Sequence, residues 1–264
     1  MAPERQRAIL DLLARQAGVR VAVLAADFKV TQETVRRDLE RLERDGHLVR
    51  SYGGAIPRDL DRTELPLDVR ETVHLEQKRA IAAHAAAGVR EGHVIALDAS
   101  STVRELARLL PNVPLTVVTN SLAVAMALHD RSKIRVVVTG GVLDGPSRSF
   151  VGEMATEMLD RFHLTRAFIS CQGIDLQRGL SVTADEQAGI KRRMVALAEE
   201  AVLLADSTKF GVKAVEFFAK VTDVDTIITD PGVDSGMVVR LKKAGVRVEV
   251  ARPKVSRRGA RRRA

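Results

Sequence analysis

A single cysteine, Cys171, stands among the 264 residues, so no disulfide can close within the chain, and this usage fits a reducing cytosol. No apolar run is long enough to span a bilayer, and the opening M-A-P-E-R-Q-R has no apolar signal core. The expectation is a soluble, cytoplasmic protein without a membrane partner. No G-x-x-x-x-G-K-[ST] occurs, which argues against a P-loop, and Gly140-Gly141 is too short for a dinucleotide fingerprint. Six dispersed histidines and the one cysteine give no metal-ligand spacing, so neither a metal nor a cofactor is expected. Cys171 has no His or Asn in an identifiable partner motif and reads as a small buried residue, not a nucleophile.

The formal net charge is +8, but its location matters more than its size. Residues 1–56 hold 10 Lys/Arg against 8 Asp/Glu, and residues 57–250 hold 25 against 26. Residues 251–264 hold 7 Lys/Arg and no acid, so the excess sits in a tail whose composition reads as disordered. Such a tail could add non-specific DNA contact through counterion release or serve as a solubilising appendage.

The first informative stretch is Val30–Tyr52, V-T-Q-E-T-V-R-R-D-L-E-R-L-E-R-D-G-H-L-V-R-S-Y. Val35, Leu39 and Leu42 fall at i, i+4 and i+7, one apolar stripe on a helix. Glu33, Arg37, Glu40 and Arg44 point the opposite way, with Arg36 on the flank. Thr31 is a fitting N-cap, and Asp45-Gly46 a fitting stop. His47–Tyr52 is short and extended and ends in Gly53-Gly54, which suits a hairpin. Before it, Glu4–Gln16 carries Ile9, Leu12 and Leu13 on one face, and Val21–Phe28 is a second short apolar segment joined by Lys29-Val30-Thr31. Two helices on so short a turn make a helix-turn-helix, and a basic hairpin behind it makes a wing. Periodicity alone also admits a solvated helix of a packed domain.

E-R-Q-R-A-I-L (Glu4–Leu10), T-V-R-R-D-L (Thr34–Leu39) and G-H-L-V-R-S-Y-G-G-A (Gly46–Ala55) resemble the DNA-binding domain of DeoR-family transcriptional regulators. The departure is Tyr52, where the family usually carries His; either can donate to a phosphate. The resemblance, with the placement near a helix N-terminus, makes Thr31, Gln32, Glu33, Thr34, Arg36 and Arg37 the groove-facing candidates. Arg50 and Tyr52 are the phosphate clamps of the wing.

The chain divides into a winged helix-turn-helix over 1–57, a polar, proline-bounded linker over 58–70, an effector domain over 71–250 and the basic tail over 251–264. Asp68–Gly88 has helical spacing. Apolar, β-branched runs then recur at Val94–Leu97, Leu115–Val118, Ile134–Val138, Ala167–Ile169, Val202–Leu204, Thr226–Ile228 and Val246–Val250. Helical patterns lie between many of them, at Val103–Leu110, Ser121–His129, Gly152–Leu159, Asp185–Glu200 and Ser235–Ala244. This alternation predicts an α/β fold with a mainly parallel sheet covered on both faces.

The carboxyl ends of these strands carry the chemistry. Asp98–Thr102, Thr119–Ser121, Thr139–Gly141, Ser170–Asp175 and Asp206–Lys209 all fall there, on the edge where open parallel sheets bind ligands. Ser100, Ser101 and Thr102, just before a helix, are the best phosphate cradle. Asp98, Asn120, Asp175 and Asp206 offer acceptors for sugar hydroxyls, and Lys191 and Lys209 offer positive charge. Polar strand ends also arise simply because Ser, Thr and Asp cap helices.

L-D-A-S-S-T (Leu97–Thr102), L-T-V-V-T-N-S-L-A-V-A (Leu115–Ala125), V-V-V-T-G-G (Val136–Gly141) and S-F-V-G (Ser149–Gly152) resemble the effector domain of the same family. So do G-I-D-L-Q-R-G-L-S, D-E-x-x-x-x-K-R-x-M (Asp185–Met194) and A-D-S-T-K-F-G. Gly189 and Ser170-Cys171-Gln172 depart from the residues usual there. The resemblance implies a fold similar to sugar-phosphate isomerases such as ribose-5-phosphate isomerase. It also implies a phosphorylated sugar or related metabolite as effector, and it brings Thr119, Gly140, Gly141, Gly152 and Glu186 into the candidate effector set. The function it implies is a repressor of sugar or carbohydrate metabolism genes that a metabolite releases from operator DNA. A helix-turn-helix that reads a few base pairs per copy further implies a homo-oligomer, dimer or tetramer. The other reading is a sugar-phosphate isomerase, with Asp98, Asp175 or Glu186 as base and Lys191 or Lys209 as electrophile. The attached helix-turn-helix argues against it, and the expectation is that the chain is not an enzyme.

Overall fold

The computed structural model describes residues 2–13, 18–51, 53–57 and 67–252. Tyr52, residues 58–66 of the linker and residues 253–264 of the tail lie outside them.

The N-terminal part runs α1 (Ala2–Leu13), β1 (Val19–Arg20), α2 (Val21–Asp27), α3 (Gln32–Arg44), β2 (Leu48–Ser51) and β3 (Gly54–Pro57). Ile9 and Leu13 of α1, Val21 and Leu24 of α2, and Val35, Leu39 and Leu42 of α3 close one apolar cluster. The stripe legible from spacing is therefore the buried one. Thr31 caps α3 as anticipated, its Oγ1 accepting the Thr34 N–H at 3.2 Å, and Gly46 comes after the helix at φ +79°. Asp38 is buried on α3, where the Arg5 Nε (2.5 Å) and Gln6 Nε2 (3.0 Å) of α1 both donate to it. The strands form an antiparallel sheet in the order β1-β3-β2. β1 is too short to read from sequence; it pairs so closely that a Cβ on Gly54 would lie 2.0 Å from the Val19 carbonyl oxygen.

The larger part begins with α4 (Leu67–Thr72) and α5 (Leu75–Ala86). The single helix expected over 68–88 is thus two, broken where His74 takes a left-handed φ of +50°. The end of the expected linker, residues 67–70, is already helical, and Leu67 is buried. Next come β4 (Val94–Leu97), α6 (Ser101–Leu109), β5 (Leu115–Thr119), α7 (Leu122–Leu128), β6 (Ile134–Val138), β7 (Val142–Asp144), β8 (Ser149–Val151), α8 (Glu153–Leu159) and β9 (Leu164–Ile169). The chain continues through β10 (Gly173–Asp175), β11 (Gly179–Val182), α9 (Asp185–Leu197), β12 (Ala198–Leu204), β13 (Glu216–Ala219), β14 (Thr226–Thr229), α10 (Ser235–Lys243) and β15 (Arg247–Val250).

Seven strands make one sheet in the order β15-β14-β12-β9-β4-β5-β6, and all its pairings are parallel. Alternate residues of each strand serve two cores. Ile95, Leu97, Val117, Phe168 and Val202 pack with α5, α6 and α7 on one face. Ala96, Val118, Ala167, Ile169 and Leu203 pack with α8, α9 and α10 on the other. This is the α/β, mainly parallel, doubly covered sheet that the alternation predicts. Two differences are instructive. α9 passes directly into β12 at Ala198, so Glu199 and Glu200, expected on the helix, lie on a strand. There Glu200 faces its register partner Arg166 at 2.7 Å. The antiparallel pair β7-β8 and the strands β10 and β11 are three or four residues long and come from glycine-bearing or polar segments, while β13 (E-F-F-A) joins β11 at the edge of their sheet.

From β4 the chain moves outward through β5 and β6, then returns to place β9 on the other side of β4 and continues to β15. The connections leaving β4 and β9 diverge, and in such a sheet the crevice opens at that reversal.

Candidate functional site

On the N-terminal part, the outward face of α3 carries the expected basic residues. Arg37 is 76% and Arg36 54% exposed, each near Glu33, at 3.4 and 3.7 Å. Gln32 Oε1 accepts from Arg36 at 3.3 Å. Exposed pairs at this spacing contribute a few tenths of a kcal/mol, so either guanidinium can leave for a stronger partner. Thr31 and Thr34 hydroxyls are spent on each other and on the helix cap. Arg50 is placed differently from the free clamp envisaged. Its Nε meets Glu43 at 2.8 Å, its Nη1 meets Glu40 at 2.7 Å, and its backbone N–H donates to Glu43 as well. Arg50 therefore ties the wing to α3, and its guanidinium titrates above its usual value because of Glu43.

In the larger part, Asp98 stands directly after β4 and Ser170 directly after β9, so both lie at the reversal. The Asp98 carboxylate spans it: Oδ1 accepts the Ser100 N–H at 2.9 Å, Oδ2 the Ser170 N–H at 2.8 Å. The Lys191 ammonium, from α9, closes an ion pair on Oδ2, and both side chains are almost wholly buried. Ser100 caps α6, its Oγ accepting the Val103 N–H. Ser101 and Thr102 form the buried first turn of α6, where backbone N–H groups lack intrahelical acceptors. Cys171 lies within electrostatic reach of Lys209, Lys191, Asp206 and Asp98 alike. Burial pushes its thiol up to about 12, so it stays protonated.

Asp206 lies two residues beyond β12 and caps the turn Ser207–Lys209. Burial works against its charge, yet Lys209, the Thr208 hydroxyl, His74 and Lys78 hold its carboxyl below the usual value. Asn120 is fully buried; its Nδ2 donates to the Phe150 carbonyl at 3.1 Å while its Oδ1 has no partner among the described residues.

Several expected residues have other work. Thr119 Oγ1 donates to the Leu97 carbonyl at 2.6 Å and accepts the Ser121 N–H at 3.0 Å, which ties β5 to β4. Asp175 sits at the tip of β10-β11. It accepts the N–H groups of Arg178 and Gln177 and pairs with Lys213 at 3.1 Å, so it fastens a hairpin. Glu186 is exposed, because the inward face of α9 carries Gln187 and Lys191, four apart, and Glu186 is one residue off it. Gly141, at φ +105°, has its open side filled by the Val151 carbonyl, 2.5 Å from where a Cβ would stand. Gly140 (φ +69°) and Gly152 (φ +93°) have open space there, Gly152 at the N-cap of α8.

The profile of the DeoR-like helix-turn-helix domain matches residues 5–59, and that of the DeoR C terminal sensor domain matches residues 73–231. The chain belongs to the DeoR family. Among DeoR-type relatives, an uncharacterized HTH-type transcriptional regulator of Bacillus subtilis, YulB, is 39% identical over 93% of this chain and 95% of its own. A putative aga operon transcriptional repressor of Escherichia coli O157:H7 is 34% identical, covering 93% and 92%. An L-fucose operon activator of Haemophilus influenzae is 35% identical, covering 86% and 91%. A ribose 5-phosphate isomerase A from Methanocaldococcus jannaschii overlays 50% of this chain and 53% of its own at 20% identity and a TM-score of 0.38, a score that carries no inference. Among the described residues no helix is long and apolar enough to cross a membrane.

Three inward-facing residues of this DeoR-family sensor domain escape a reading by strand ends. Gln187 donates to Ser149 Oγ at 2.6 Å, tying α9 to β8. His74 and Lys78 open α5. Lys78 shares the buried stripe of Ile81 and Ala85, and a lysine within an apolar stripe was the available signal. Burial pushes the Lys78 amine down to about 7, against the pull of Asp206.

That shift has a measurable sign. Between pH 7 and the ordinary lysine value of 10.5 the unfolded chain binds a proton that the folded chain does not. The burden of the buried charge is full below pH 7 and relieved as pH rises through that window. Relative to Lys78→Met, the wild-type Tm rises between pH 7 and 10 by several degrees, as differential scanning calorimetry at matched ionic strength will show. Parallel profiles would mean that Lys78 stays charged.

Proposed function

We propose that this chain is a DNA-binding transcriptional repressor of carbohydrate-metabolism genes, released from its operator by a phosphorylated sugar or polyol. Residues 1–57 bind DNA, 58–70 link, and 71–250 sense; the protein acts in the cytoplasm. The observation that carries the reading is the convergence of the Lys191–Asp98 pair, the Asp206–Lys209 turn and the buried start of α6 at the reversal of a parallel sheet. A buried and a half-buried cation beside a helix start suit a phosphate, and buried acceptors beside them suit hydroxyls. The name of one relative, an L-fucose operon activator, supports the same class of effector.

Isomerase chemistry has less support. Of the three candidate bases, Asp98 is held in an ion pair with Lys191, Asp175 fastens a hairpin and Glu186 faces solvent. Regulation needs none of them free. Paired half-sites call for a homo-oligomer. The exposed apolar side chains Met126, Val142, Leu143 and Met154 supply a surface for subunit contact.

The test is a thermal-shift and DNA-release titration with ribose 5-phosphate, fructose 6-phosphate, glucose 6-phosphate and glycerol 3-phosphate, each against its unphosphorylated form. Binding to the folded state at a hundredfold excess over Kd stabilises by about 2.7 kcal/mol, a shift of a few degrees. Ser101→Ala with Lys209→Ala should keep DNA affinity and lose both the shift and the release. Release that survives in the double variant would put the effector elsewhere.

A further inference from the structure

The β7-β8 hairpin is fastened to the sensor domain by polar bonds, and no side chain of residues 142–151 belongs to either core of the sheet. Its stems, Gly140-Gly141 and Gly152, are all at positive φ. Three ties hold it. At the end of β5, the Phe150 N–H donates to the Asn120 carbonyl at 2.7 Å, and Asn120 Nδ2 returns to the Phe150 carbonyl at 3.1 Å. From α9, Gln187 Nε2 donates to Ser149 Oγ at 2.6 Å and to Ser147 Oγ at 3.3 Å, both serines being fully buried. At the tip, the Pro146 carbonyl accepts the Leu67 N–H at 3.0 Å. Leu67 is the first described residue after residues 58–66 of the linker. Only Asn120 Oδ1 is at odds with this arrangement: it is shut off from solvent and has no partner among the described residues. A buried acceptor without a donor costs free energy that the same atom in water does not.

We propose that the β7-β8 hairpin is a strap that shuts on the effector: a hydroxyl of the bound sugar donates to Asn120 Oδ1, and the shut strap holds Leu67 at the end of the linker. The inference rests on the effector reading above. A ligand moves an equilibrium between two forms only through contacts that differ between them. With the strap open, water satisfies Asn120 whether or not a sugar is present. With the strap shut, the sugar hydroxyl is the donor that removes the penalty. The effector therefore draws the protein toward the shut form, and the Pro146–Leu67 bond, made in that form, carries occupancy to the chain's route from the DNA-binding part. Opening exchanges hydrogen bonds for water and leaves both sheet cores intact, as a local opening of low cost requires.

The experiment is amide hydrogen exchange of the full chain, with inorganic phosphate and the four phosphorylated probes above, read beside Tm. In wild type, a probe that raises Tm is expected to slow exchange severalfold at Leu67 and Phe150 together. Inorganic phosphate, which has no carbon-borne hydroxyl to offer Asn120, is expected to leave both amides unchanged; slowing by phosphate alone would overturn the role of the hydroxyl. In Gln187→Met, which removes the tie from α9, both amides exchange severalfold faster without probe while β4 and β9 keep their wild-type protection. A hairpin that loosens with Leu67 unchanged overturns the link to the linker. A probe that raises wild-type Tm while the two amides stay constant or speed up overturns the strap and leaves the effector reading standing. If no probe raises wild-type Tm, the effector reading fails, and the strap with it. Wild type alone decides these last two outcomes should the variant fold poorly.

Discussion

Replacing Lys191 with alanine is expected to lower the unfolding free energy of the sensor domain by about 3–5 kcal/mol. The reason is Asp98, which is 1% exposed and would be left with only the Ser100 and Ser170 N–H groups to hold it. Buried ion pairs add little beyond a well-packed apolar pair, but breaking one leaves an uncompensated charge. Asp98→Asn with Lys191→Met should therefore recover most of the loss, since it removes both charges and keeps the volumes similar. Urea unfolding followed by far-UV circular dichroism measures all three chains. A loss below about 1 kcal/mol in the single variant would mean that water reaches Asp98 and that the crevice is open.

Arg37→Ala is expected to cost about 1–3 kcal/mol of operator affinity, of order ten- to a hundredfold, by removing a bidentate guanine contact. Its only described tie is the exposed Glu33 pair, so the folded domain loses little stability. Fluorescence anisotropy with the protein's own promoter fragments, against a scrambled duplex, separates base reading from phosphate attraction. Unchanged affinity at unchanged Tm would remove Arg37 from the groove.

The architecture was legible where one physical signal dominates. The α3 stripe and the parallel strands are written in apolar spacing, because burial on one or both faces demands it. The site was legible where strand ends carry caps: Asp98, Ser100 and Asp206 bond to backbone within two or three residues. It was illegible where partners come from far along the chain. The bonds that join Asp98 to Ser170, Asn120 to Phe150 and Gln187 to Ser149 span 72, 30 and 38 positions. Lys78 was hidden for a further reason: a reading by strand ends looks at loops, and this lysine approaches the site from the middle of the fold, on a helix laid across the sheet. Glu186 shows the opposite error, in which a motif supplies the right helix and the rotation about its axis decides which neighbour faces in.

The grip of Glu40 and Glu43 on Arg50 carries a consequence for target search. A duplex can recruit this arginine only by outcompeting two carboxylates already at 2.7–2.8 Å. Phosphates are spaced alike on any sequence, so the contest turns on how closely the seated recognition helix brings the wing to them. Arg50 is therefore expected to leave Glu40 and Glu43 only where the docked helix holds the hairpin against the backbone of the duplex.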